Sequence, residues 1–178
     1  MKANIKNLLL IFALIAANFI QAAEQPRSVN ALRDEYEAAI KLLNKNAIPH
    51  AIFLFNEIIK EPVTDVNKEV ITFAKNQLGT LYFTDGFKNY KLSVDLLESI
   101  QLEEDDNGFT NANKIRILKM LGIMYYKGDE YHDFEKNYGK AHHFLTLAIE
   151  SSDINDQEKI KLQQILDIIK PVTCCTLQ

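Results

Sequence analysis

The sequence predicts an all-α fold, and three observations carry that prediction. Apolar residues recur at helical spacing along nearly the whole chain after residue 28. Strand signals are nearly absent: no long stretch alternates apolar and polar residues, and no Asn-Gly turn separates two such runs. A Leu-Gly-x-x-Tyr motif occurs at Leu78–Tyr82 and again at Leu121–Tyr125, each near the end of a helical stretch.

Composition sets the outer bounds. The chain has 178 residues, 47% hydrophobic and 25% charged, which is ordinary for a globular protein and fits one domain. Six glycines and four prolines exclude collagen-like and linker-dominated chains. Two cysteines exclude a disulfide scaffold and a four-thiolate metal site. The formal charge of −4 argues against a general nucleic-acid binder, which needs a basic surface.

The first segment reads as an address. Lys2 and Lys6 precede an apolar run from Leu8 to Ala17, no acid occurs before Glu24, and Ala22 and Ala23 offer a cleavage site. A charged start, a short apolar core and a small-residue exit are the parts of a secretory signal peptide. Even extended to Ile20 the run is 13 residues long, well short of the roughly 20 a membrane-spanning helix needs. No cysteine follows it, so a bacterial lipid anchor is not expected. Removing residues 1–23 takes away two lysines and no acid, which leaves 18 basic against 24 acidic residues.

Seven helices follow. Ser28 is a natural N-cap for a helix to Lys45, with Leu32, Tyr36, Ala39, Ile40, Leu42 and Leu43 on one broad face. Pro49 suits the first turn of the second, which carries Ile52, Phe53, Phe55, Ile58 and Ile59. Thr64 or Asp65 caps a third helix to Phe83; a fourth spans Tyr90 to Leu102. The fifth runs from Thr110 to Lys127 and stops at Gly128, and the sixth covers Asn137 to Ser151. The last starts near Asp153 and ends before Pro171.

These helices repeat as pairs. Gly79 and Gly122 are 43 residues apart, while Tyr90 and Tyr138, which open the partner helices, are 48 apart. The third pair therefore has a loop five residues longer, within Asp129–Lys136. A period in the forties made of helix pairs is the signature of an α-solenoid. The predicted layout is a signal peptide at 1–23, a helical-repeat domain at 24–170 and a flexible tail at 171–178. Within the domain lie three antiparallel pairs (about 28–60, 64–102 and 110–151) and a C-terminal capping helix at 153–170. Each interior glycine costs about 1 kcal/mol relative to alanine, which is tolerable where a large side chain of the partner helix packs over the missing Cβ.

The run Leu121-Gly122-Ile-Met-Tyr125-Tyr126-Lys-Gly128, followed by Asn137-Tyr138-x-Lys140-Ala141, resembles the Sel-like branch of the tetratricopeptide-type repeats. Leu78-Gly79-x-x-Tyr82 with Gly86 and Asn89-Tyr90 is a looser copy. Ala38-Ala39-x-x-Leu42, then Ala51, Phe55 and Pro62, is closer to a plain tetratricopeptide repeat. Ser93 stands where the second copy should have Ala, and the loop after Gly128 lacks the family's usual Gly-Val. The resemblance implies a scaffold whose concave face, built by the first helices of the pairs, holds an extended peptide. It selects Arg33, Tyr36, Ile40, Leu43 and Asn44 from the first pair, and Phe73, Asn76, Thr80, Phe83 and Thr84 from the second. Arg116, Lys119, Ile123, Tyr126 and Lys127 come from the third. These fifteen places hold four cations and no acid, which points to an acidic partner.

Other chemistry has little sequence support. His50, His132, His142 and His143 form no His-x-x-x-His pattern, and helical neighbours such as His142 and His143 point apart, so no metal is expected. Glu103–Gly108 looks like the opening of a calcium loop, but Lys114 stands where a bidentate Glu is required, and the stretch reads as an acidic inter-repeat turn. No nucleophile elbow or phosphate-cradling glycine loop occurs. Cys174 and Cys175 read as free or intermolecular thiols, although Cys175-Thr-Leu-Gln formally matches a prenylation box. The expectation is an exported, periplasmic or secreted, protein-binding scaffold: not an enzyme, without cofactor or metal, binding neither nucleic acid nor membrane after processing. The resemblance implies envelope assembly or host interaction. The alternative it leaves open is an envelope enzyme acting on cell-wall or β-lactam substrates.

Overall fold

A computed structural model describes residues 27–84, 86–100 and 109–175, and these residues hold seven α-helices and one short 3-10 turn. The signal segment at 1–23, the acidic turn at 103–108 and the end of the Cys175 box lie outside the described residues. Helices α1 (Val29–Asn44) and α2 (Ile48–Ile59) form the first pair, and α3 (Lys68–Phe83) and α4 (Tyr90–Glu98) the second. Helices α5 (Asn111–Lys127) and α6 (Tyr138–Glu150) form the third, and α7 (Asp156–Cys175) follows alone. Packing is closest within pairs, and each second helix then lies against the first helix of the next unit. The fold is all-α, a short array of sequential antiparallel pairs. First helices also touch across pairs, α1 against α3 and α3 against α5, so they line one side of the array.

Local chemistry sets the helix starts. Side-chain oxygens of Ser28, Asn89, Thr110 and Asn137 accept from the backbone N–H three residues on, at Ala31, Leu92, Asn113 and Lys140. Pro49 falls in the first turn of α2, where its missing N–H costs no helical bond.

One crossing is built twice. A Cβ placed on Gly79 would lie 2.6 Å from Cγ and Cδ2 of Leu97, and one placed on Gly122 would lie 2.6 Å from the same atoms of Leu145. The glycines let α3 meet α4, and α5 meet α6, at a distance no side chain permits. The second-helix face recurs in all three pairs: Ala51, Ser93 and Ala141 are fully buried at one position, and Phe55, Leu97 and Leu145 four residues on. Ser93 departs from alanine without cost, because its hydroxyl donates to the Gly79 carbonyl at 2.6 Å. The same backbone bond closes each hairpin: Ala47 N to Leu42 O at 2.9 Å, Asn89 N to Tyr82 O at 2.8 Å, and Asn137 N to Tyr125 O at 2.9 Å.

Four helix ends differ from the sequence expectation. Helix α3 starts at Lys68, not at Thr64 or Asp65, because Thr64 N donates to the Asn67 side chain at 2.7 Å and a separate turn forms first. Helix α4 ends at Glu98 rather than Leu102, where the Ser99 hydroxyl takes the Leu96 carbonyl at 2.7 Å. Helix α7 starts at Asp156, with Asn155 accepting from Glu158 N at 2.9 Å, and runs through Pro171 to Cys175 instead of giving way to a tail. A proline removes one helical bond and crowds one carbonyl but does not forbid the turn beyond it.

Both ends of the array are finished. Arg27 donates to Glu61 and Glu35 carboxylates at 2.6 Å and to the Glu57 carbonyl at 2.5 Å, tying the entry of α1 to the end of α2. Helix α7 sits against α6 in the place that a first helix takes against the pair before it. Its buried Leu162 and Leu166 match Met120 and Met124 of α5, 42 residues earlier. Positions that face the partner helix in α5, Leu121, Gly122 and Tyr125, become Gln163, Gln164 and Asp167, which are exposed. The polar set ends the stack, as the sequence suggested for a cap.

The five extra residues of the third hairpin form a staple. Gly128 has a positive φ of 65°, and Asp129 and Phe134 exchange two backbone bonds of 2.7 and 2.9 Å. The buried Asp129 carboxylate accepts from the Tyr90 backbone N–H at 3.3 Å and from His132 Nδ1 at 2.9 Å. It thereby joins the third pair to the start of α4. Burial pushes its pKa up, but the bonds from His132 and Tyr90 outweigh this and hold it below the usual carboxylate range.

Two outcomes follow. Gly79→Leu or Gly122→Leu should lower stability by about 1–3 kcal/mol from overpacking, while Ser151→Ala stays close to wild type in urea unfolding. Because the folded-state pKa of Asp129 is depressed, its contribution is present above about pH 4 and is lost as pH falls through the folded-state value. Asp129→Asn should therefore lower the unfolding free energy at pH 7 by about 1–3 kcal/mol, read as a lower urea midpoint, and flatten the acid-side loss of stability.

Candidate functional site

The residues expected on the concave face divide into those that pack and those that stay open. Tyr36 lies against Phe55 and Phe73, with ring centroids 5.6 and 6.2 Å apart, and Phe73 meets the edge of Phe109 at 5.3 Å. Phe83 stacks on Tyr90 at 5.8 Å. Ile40 lies half-buried against the N-terminal core. These side chains join neighbouring helices and leave only part of their surface to a ligand. Asn76 is only 3% exposed, and its Oδ1 accepts from Arg116 Nη2 at 3.4 Å, one first helix bonding the next. Arg116 Nε is buried without a partner among the described residues.

The expected surplus of cations is smaller than the fifteen positions suggested, because acids outside those positions reach in. Arg33 pairs with Glu69 of α3 at 3.6 Å, and Lys119 pairs with Glu158 of α7. Both acids sit in the first turn of their helices, where the helix dipole favours them. Lys127 stays exposed with no ion pair among the described residues.

The open part of the face lies at its C-terminal end. Helix α7 packs along α6 and stands off from α5, leaving a groove of about 370 Å³. Lys119, Ile123, Tyr126 and Lys127 line one side, and Glu158, Lys161, Leu162 and Ile165 the other. The α7 half escaped the sequence reading, which treated that helix as a cap alone. In the structure Lys161 takes the place of Lys119 and Ile165 that of Ile123, an offset of 42 residues, whereas the 43-residue spacing of Gly79 and Gly122 carried one step further would have chosen Leu162 and Leu166.

On the second-helix side, three residues form a cluster that sequence reasoning also missed. Tyr125 donates its hydroxyl to Glu98 at 2.7 Å, and Lys140 Nζ reaches the same carboxylate at 3.0 Å and the Tyr125 oxygen at 2.8 Å. The Lys140 ammonium also stands 4.7 Å from the centre of the Tyr125 ring. Burial, with the Glu98 carboxylate, pushes the Tyr125 phenol up against the opposing effect of Lys140. The cluster ties α4, α5 and α6 together.

Among the described residues no three His, Cys, Asp or Glu side chains gather where they could hold a metal ion. His132 donates to Asp129, His143 lies edge-on to Phe144, and His50 is exposed. No helix of the described residues is long and apolar enough to cross a membrane. Compared with protein-family models, with curated proteins and with solved structures, the chain matches none.

Proposed function

We propose that this chain is a Sel-like, tetratricopeptide-type repeat protein, exported after cleavage at Ala22 or Ala23, that binds another protein along the face of its first helices. It works in the periplasm or outside the cell, in envelope assembly or host interaction, as a scaffold without catalysis, cofactor or metal. The observation that carries this reading is the open groove between α5 and α7, where the first-helix face offers apolar side chains beside Lys127 and Lys161, which form no ion pair among the described residues. The repeated Gly–Leu crossing supports the repeat assignment, and the charged-apolar-small order of residues 1–23 supports export. Repeat arrays of this kind bury their apolar surface between neighbours and have one continuous face left for a partner.

Site-specific photo-crosslinking in the native envelope fraction tests the proposal. A photoreactive residue at Arg33, Thr80 or Lys127 should trap a partner protein, while one at Asp95 or Leu147 on the second helices should not. Crosslinks from the second helices alone would refute the face assignment.

A further inference from the structure

We infer that the groove between α5 and α7 selects a segment of another protein that presents one large apolar side chain between two carboxylates. This rests on the scaffold reading above and assigns its ligand chemistry. Elsewhere on the face the first helices close on one another, Tyr36 against Phe73 and Asn76 against Arg116. At the last step, among the described residues, α5 and α7 stand further apart and are bridged by the Lys119–Glu158 ion pair.

The two walls of the gap are alike because α7 repeats the register of α5. Ile165 stands at the place of Ile123, and Lys161 at that of Lys119. Ile123, Tyr126 and Ile165 are half-buried and give the gap an apolar floor. An apolar side chain entering it leaves water on both sides at once, which is the driving force for insertion.

The rim decides what may flank that side chain. Three lysines and one glutamate border the groove, and the glutamate is engaged with Lys119. Lys127 and Lys161 are exposed and pair with no acid among the described residues. A chain with a formal charge of −4 repels acidic partners at long range, so the groove's own lining of three lysines against one glutamate is a local exception, although Lys127 also borders Asp129, Glu130, Asp133 and Glu135 on its other side. Carboxylates on either side of the anchoring residue meet the lysines without burying either charge.

The test uses the full chain and fluorescein-labelled decapeptides in a Gly/Ser background, read by anisotropy. One peptide carries a central Leu between two Glu; in a second the Glu are Lys, and in a third the Leu is Ser. The Glu-Leu-Glu peptide should bind and the other two should not. Lys127→Glu with Lys161→Glu should weaken it by about tenfold or more without changing the melting temperature, since both side chains are exposed. Ile165→Ser should weaken it without removing its salt dependence. Equal binding of the Lys peptide, no binding by any peptide, or an affinity unmoved by the double reversal would overturn the inference. If the affinity instead follows Arg33→Glu, the groove assignment falls while the scaffold reading stands. Binding by no peptide together with crosslinks only from the second helices would remove both.

Discussion

Leu97 and Leu145 occupy the space that a Cβ would take at Gly79 and Gly122, and the geometry of the last two pairs depends on that substitution of one side chain for another. A glycine inside a helix gives up about 1 kcal/mol of helix propensity. The return is a close crossing that buries a whole leucine and brings the hairpin ends into register. The register shows in the backbone bonds that close the hairpins, three residues beyond each crossing position. The first pair reaches a related arrangement with Ala39 and Phe55, both fully buried, without a glycine.

Stacking follows from the crossings. Once each pair is a rigid unit, its second helix has one apolar side left, and the next first helix covers it. The units are then fastened by polar contacts that reach across the joint. Asp129 serves the start of α4 from the third hairpin, and the Tyr125–Glu98–Lys140 cluster joins α4 to the pair that follows. These contacts lie along one edge and on the second-helix side. The first-helix side is held by ring packing, by the Asn76–Arg116 bond and by the Arg33–Glu69 and Lys119–Glu158 ion pairs.

Much of the fold was legible in the sequence because its signals are local or periodic. Gly79 and Gly122 with their tyrosines, the cap at Ser28 and the stop at Gly128 each state their role within a few residues. The errors fell where a local rule met a competitor: α4 stopped early where the Ser99 hydroxyl donates to the Leu96 carbonyl, and Pro171 did not end α7. The candidate face was legible as a set of positions but not as a charge balance. Glu69 and Glu158, which neutralise Arg33 and Lys119, come from neighbouring first helices, and the distance between those helices is a tertiary quantity. The groove depends on how far α7 stands from α5, which no spacing in the sequence encodes.

The face and its groove exist only if the pairs are set by the glycine crossings, so the most direct measurement is a double-mutant cycle across one of them. Gly79→Ala adds a methyl group that collides with Leu97, and Leu97→Ala removes the obstacle. The double variant should then be more stable than the two single losses predict, by about 1 kcal/mol or more. The same cycle at Gly122 and Leu145 should give the same sign. Additivity within about 0.5 kcal/mol at both crossings would contradict the account.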